Sequence, residues 1–349
     1  MQKKILTIAF IAAASSTSVS ALELGEVGGT KFSVGGYLKA EAIWGNPDSG
    51  EKSVEGSARQ SRFNLKATKE VDGHKIGGLI EGDFWGTGAS GSYVWRLRHA
   101  YISIDNLTVG QTWSGGFFAT APFDAPMINF FGVGWGTIAG NGGTVRPDFV
   151  AHYRTNGFTI SAQEPLFENA DIPDMVVSYT QRFDGGSGYS AAITAREVEQ
   201  LADDSEIGAG VSFQGKLAVG NGALFAGAFT GKGQGVNTGL CVGGTWGPST
   251  APRNNTNCDI DAAGDLVSQT AFNVGVTQSL TDKLSGTLRY AKVMVDDAAD
   301  TSAFMTTATL IYNYLPSLDL GIEWRDQDMA NHPLRPAGQQ VEVMAMYKF

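Results

Sequence analysis

The chain has 349 residues, 46 of them glycine, with 17% charged and 10% aromatic residues, a mean hydropathy of −0.08 and a formal net charge of −10. The acidic balance argues against a general nucleic-acid binder, and no segment after the amino terminus approaches 18 uninterrupted apolar residues, which argues against a membrane-crossing helix. Many glycines and little helix-forming character suit a β-barrel, whose apolar residues are hidden in alternation and escape hydropathy averages.

At the amino terminus, Lys3 and Lys4 precede a short apolar run over 5–14 and then Val19-Ser20-Ala21. The run is too short to span a bilayer, and the small residues at 19 and 21 suit cleavage, so residues 1–21 read as a cleavable signal peptide. The exported part, residues 22–349, is then soluble in the periplasm, secreted, or inserted in the outer membrane as one barrel domain, and composition favours the barrel.

Period-2 alternation between turn signals predicts sixteen strands, at about 32–44, 59–68, 75–85, 94–104, 107–114, 148–155, 158–164, 174–183, 188–197, 205–214, 223–230, 268–278, 283–293, 303–313, 318–326 and 341–349. Tight connections such as Asp105-Asn106, Asn156-Gly157 and Pro316-Ser317 alternate with long ones, among them 115–147 and 231–267. The predicted fold is all-β: a transmembrane antiparallel barrel with short turns on one rim and long loops on the other. In the last strand, Val341, Val343, Ala345, Tyr347 and Phe349 share one face and Glu342, Met344, Met346 and Lys348 the other. That pattern matches lipid outside and a wetter interior, although any half-buried antiparallel strand shows the same alternation. The 94–104 strand conflicts with itself, because Arg96 and Arg98 share parity with Ala100 and Ile102; a bulge or a subunit contact would explain it.

Charge on the lipid side at mid-depth costs about 2–4 kcal/mol for Arg or Lys, so strand parity sends the basic residues inward. The resulting set is Lys39, Arg62, Lys66, Arg96, Arg98, Arg154, Arg182, Arg196, Arg289 and Arg325. Two roles suit such residues. They can pair with inward acids such as Glu41, Glu81, Asp83, Asp319 and Glu323, or their guanidinium groups can line a path for anions.

The 115–147 connection holds Phe118, Phe123, Asp124, Phe131 and Trp135 among many glycines. It is too apolar for water, and folding onto the inner wall would make it a constriction; contact with a neighbouring subunit is the alternative. Cys241 and Cys258 lie in the other long connection, where a disulfide closing an external loop is expected in an exported chain. The acidic groups Asp259-Ile260-Asp261 and Asp296-Asp297 lack the calcium-loop pattern and read as solvated loop charge. Motifs of serine hydrolases, zinc proteases and phosphate-binding loops are missing, and the histidines at 74, 99, 152 and 332 are scattered. No metal or other cofactor is expected.

At Ser61-Arg62-Phe63-Asn64-Leu65-Lys66, Arg96-Leu97-Arg98-His99-Ala100-Tyr101-Ile102 and Val109-Gly110-Gln111-Thr112-Trp113-Ser114, the chain resembles the DcaP-like family of trimeric Gram-negative porins. The resemblance implies a sixteen-stranded homotrimeric barrel set in outer-membrane lipid and lipopolysaccharide. It also implies passive diffusion of negatively charged solutes, including dicarboxylates. On that reading Arg62, Lys66, Arg98 and Arg154 supply wall charge and Asp124 opposes them at the constriction. The chain departs from members with a long amino-terminal coiled coil, since about ten residues separate Ala21 from the first predicted strand. A barrel hydrolase, a plugged structural or adhesin barrel and a cation-preferring porin are the rival readings.

Overall fold

The computed structural model describes residues 21–86, 93–115, 123–128, 146–165, 170–199, 204–238, 259–261, 263–297, 300, 302–328 and 337–349. The expected signal peptide, the side chains of Phe118, Phe131 and Trp135, and the Cys241 and Cys258 pair lie outside these residues.

The strands are β1 (Leu22–Val27), β2 (Thr30–Pro47), β3 (Ser53–Ser57), β4 (Arg62–Val71), β5 (His74–Gly86), β6 (Val94–Ile104), β7 (Leu107–Gln111), β8 (Val150–Thr155) and β9 (Phe158–Gln163). They continue as β10 (Asp174–Arg182), β11 (Gly188–Glu199), β12 (Ser205–Val219), β13 (Gly222–Lys232), β14 (Ser268–Ser279), β15 (Leu284–Asp296), β16 (Ser302–Leu315), β17 (Leu318–Asp328) and β18 (Gly338–Lys348). From β4 to β18 each strand pairs antiparallel with the next, and β18 pairs with β2 from Gly338↔Pro47 to Lys348↔Tyr37. The sheet is thereby closed, which removes every edge that lipid could not satisfy. At the seam Phe349 and Gly36 exchange backbone hydrogen bonds of 3.0 and 3.1 Å.

The sixteen-stave barrel agrees with the sequence pattern once β3 and β4 are taken as one stave. β2 pairs with β3 over Glu41↔Ser57 to Gly45↔Ser53 and with β4 over Lys31↔Thr68 to Tyr37↔Arg62, so residues 58–61 are a break within a single line. Strand β1 was not expected. It continues the line of β18 along β2, pairing Leu22 with Val34 and Val27 with Thr30, because β2 reaches below the point where β18 ends. Strand β7 stops at Gln111, short of the expected 114, because Thr112 to Ser114 leave the wall for the interior.

Turn chemistry sets the short rim. Asp72-Gly73, Asp105 and Asn156-Gly157 adopt positive φ, as two-residue hairpin turns require. Alternation sets the two faces. Leu38, Phe63, Ile102, Ile193, Phe213 and Leu288 project outward and are exposed, whereas inward neighbours such as Lys39, Arg98, His152, Arg196 and Arg289 are buried. No helix among the described residues is long and apolar enough to cross a membrane.

Candidate functional site: the charged lumen

A bulge builds the densest charge cluster. Glu81 pairs with His99 and Gly82 with Leu97, so Arg98 is the extra residue on β6 and faces inward together with His99. Trp95 and Leu97 above it, and Ile102 below, stay on the outer face. This resolves the parity conflict in favour of the bulge. The Arg98 Nε donates to Glu81 Oε1 at 2.8 Å and its Nη1 to Asp83 Oδ2 at 2.8 Å. The Arg96 fork closes on the two oxygens of Asp83 at 2.9 and 2.7 Å. On β4, Arg62 is 3.7 Å from Glu81 and stacks over the Tyr37 ring at 4.7 Å, while Asn64 donates to the other Glu81 oxygen at 3.3 Å. Arg146 lies over Trp113 at 5.0 Å, with Arg98 at 5.8 Å from the same ring. On β8, Arg154 donates to Thr108 at 3.3 Å. Among the described residues, Arg62, Arg96, Arg98 and Arg146 thus outnumber Glu81 and Asp83 in this cluster, an excess of positive charge on the β4–β8 side.

Two buried histidines pin the chain where it leaves this wall. His99 Nδ1 lies 3.1 Å from Thr112 Oγ1; His152 Nε2 lies 2.8 Å from the Trp113 carbonyl and its Nδ1 2.7 Å from Ser161 Oγ. The Gly115 amide then donates to Gln163 Oε1 at 3.0 Å. Farther along, residues 123–128 cross the inside of the barrel. The Phe123 amide donates to Gln214 Oε1 on β12 at 3.3 Å, and Arg182 on β10 lies over the Phe123 ring at 4.6 Å. Asp124 accepts two bonds of 2.8 Å from Arg289 on β15. Both polar backbone atoms of Ile128 are held by charged side chains, the amide by Glu323 on β17 at 3.0 Å and the carbonyl by Lys39 on β2 at 2.7 Å. A segment with contacts on β10, β12, β15, β17 and β2 occupies the lumen, and the wall holds its backbone at Phe123 and Ile128.

The remaining inward cations are mostly committed to carboxylates. Lys39 pairs with Glu41 at 2.7 Å and Glu342 at 3.5 Å, and Arg325 pairs with Glu323. Arg196 donates to Asp259 at 2.9 Å and lies 3.8 Å from Asp174. Lys66 and Arg182 are exposed on the short-turn side of the interior, and Arg182 has no carboxylate partner among the described residues. Asp124 differs from its expected part, because its charge is matched by Arg289 and not turned toward the β4–β8 arginines. Strand parity could not reveal Arg146, Asp259 or the stacking of Trp113, since all three lie in connections where side-chain direction has no period. Among the described residues no His, Cys, Asp and Glu cluster could hold a metal ion.

A family model described as DcaP outer membrane protein matches residues 32–170, which bears out the resemblance read from β4, β6 and β7. Comparison with curated proteins finds no match. Among solved structures, the outer membrane channel DcaP of Acinetobacter baumannii is 21% identical with a TM-score of 0.74, covering 94% of this chain and 100% of that one. An anion-selective porin from Comamonas acidovorans is 14% identical with a TM-score of 0.62, covering 92% and 100%. OmpT of Vibrio cholerae, an outer membrane protein in its trimer form, is 12% identical with a TM-score of 0.59, covering 92% and 99%. The shared fold is that of outer-membrane channels, and the chain is a bacterial outer-membrane barrel.

Proposed function

Starting from a DcaP-like barrel of the bacterial outer membrane, we propose that this protein is a passive porin for small hydrophilic solutes that prefers organic anions such as dicarboxylates. The observation that carries the reading is the excess of guanidinium over carboxylate on β4–β8, where Arg62, Arg96, Arg98 and Arg146 face Glu81 and Asp83. In a narrow, partly desolvated passage such a surplus attracts carboxylates, and forked donors match them geometrically. Hydrogen bonds to Glu81 and Asp83 hold Arg96 and Arg98 in place, so an incoming anion meets a preformed positive field. The 123–128 segment would set the bore from the opposite side. Passage would need no cofactor or energy input, and no catalytic role is assigned to Ser161 or the buried histidines, whose hydrogen bonds are taken up in anchoring the chain.

The same reading includes a homotrimer set in lipid and lipopolysaccharide, by analogy with the trimer form of OmpT; the mass of the detergent-solubilised protein by light scattering tests it. The function is tested by current through purified protein in a planar bilayer under a KCl gradient, with succinate added to one side. Stepwise current with an anion-signed reversal potential and succinate-dependent block is the expected result. A cation-signed potential would overturn the anion preference, and a folded barrel without conductance would overturn the porin reading itself.

A further inference from the structure

We infer that the lumen is divided lengthwise, with the solute path confined to the β4–β8 wall and the β13–β16 side covered by residues 123–128 and by the two described ends of the β13–β14 connection. The inference rests on the porin reading and adds to it which wall the solute meets.

Several inward positions of β13–β16 are apolar where a water-filled barrel needs polar groups. Phe229, Ala271, Val293, Val295 and Met305 all face the interior and are at most 3% exposed. Two segments cover them. One is the β7–β8 connection, through Met127; the other is the β13–β14 connection, through Val267, which belongs to the same buried cluster. That second connection was expected to be an external loop, yet both of its described ends turn inward. Gln234 accepts from Thr194 of β11 at 2.8 Å, and Asp259 accepts from the Gly235 amide at 2.7 Å and from Arg196 of β11 at 2.9 Å. The Val267 amide donates to the Asp259 carbonyl at 2.9 Å and the Gly233 amide to the Val267 carbonyl at 3.0 Å, closing the base of the connection on itself.

Polar side chains on this side are sealed as well, with Gln269 and Thr307 at 0% and Asn273 at 1% exposure. On the other side Arg62 keeps 22% of its side chain exposed, and Asn64 and Arg154 are also partly accessible. A solute that must stay hydrated cannot enter the packed apolar side, so it passes between residues 123–128 and the arginine wall.

The test is cysteine accessibility in a Cys241→Ser, Cys258→Ser background of the full chain, using a sulfonate-bearing methanethiosulfonate reagent. Asn64→Cys on β4 and Thr307→Cys on β16 are compared by current in a planar bilayer and by the mass of the labelled protein. Asn64→Cys should label and lose current in steps, while Thr307→Cys should stay unlabelled and conduct unchanged. Labelling with block at Thr307→Cys, or current that is insensitive to labelling at Asn64→Cys, would overturn the division while leaving the porin reading intact. A background channel that carries no current would instead overturn the porin reading, and the division with it.

Discussion

The Asp124–Arg289 pair is the contact whose removal separates mechanics from electrostatics. Two bonds of 2.8 Å join side chains that are 10% and 0% exposed. Removing one partner of such a buried pair costs about 3–5 kcal/mol, because the other charge stays in a poorly solvated site. Part of that cost is relieved if residues 123–128 lift from the wall, so the loss seen in barrel stability is capped by what docking of the segment contributes. Asp124→Ala makes the lumen more positive and Arg289→Ala makes it more negative. If the pair acts only through charge, the two variants shift conductance and reversal potential in opposite directions. If it holds the segment across the bore, both raise single-channel conductance and current noise, and only the reversal potentials diverge. The double variant should then resemble either single one, with a coupling of about 1–3 kcal/mol in urea unfolding from detergent micelles. Opposite changes in conductance, or strictly additive stability losses, would refute the claim that this pair positions the segment.

Arg98→Ala should cost about 3–5 kcal/mol in the same unfolding assay, since Glu81 and Asp83 each lose a 2.8 Å charged partner inside the wall; a loss below about 1 kcal/mol would mean the cluster is solvated. Arg62→Ala, at a partly exposed site with a looser ion pair, should leave folding nearly unchanged and move the reversal potential toward cations. Gly110→Ala should lower the yield of heat-modifiable folded barrel, because φ is +132° there and the added carbon would lie 2.4 Å from the Ala100 carbonyl oxygen. At the exposed short-turn rim, the hydrogen bond from His74 and then the Lys75 amide hold the Asp105 carboxyl below its ordinary value. A depressed carboxylate contributes stability that is present above its unfolded pKa of about 3.9 and is lost as pH falls through its folded value. Asp105→Asn should therefore flatten the acid limb of the stability profile, and an unchanged limb would show that the contact is not formed in solution.

Alternation was enough to read the barrel from the sequence, because a wall with lipid on one side and protein or water on the other makes face a function of residue parity. Strand number, the alternation of short and long connections, and the inward direction of Lys39, Arg62, Arg196, Arg289 and Arg325 all follow from that rule. Turns followed too, since Asp105-Asn106 and Asn156-Gly157 carry the local chemistry of positive φ, at Asp105, Asn156 and Gly157. Parity failed where the period was broken. The bulge at Arg98 turns two consecutive residues inward, and nothing within β6 says which partner residue goes unmatched; the pairing with Glu81 and Gly82 on β5 decides it. Partnership was equally hidden, because inward direction does not distinguish an arginine neutralised by Asp124 or Asp259 from one left in surplus on β4–β8. Asp124 lies 165 residues from Arg289 in the chain and Asp259 lies 63 from Arg196, and connections have no period to read. Sequence thus determined what the wall is and which side chains line it, through local geometry repeated strand after strand. Tertiary structure alone decided which charges pair, because that depends on where residues 123–128 and 259 lie against the closed sheet.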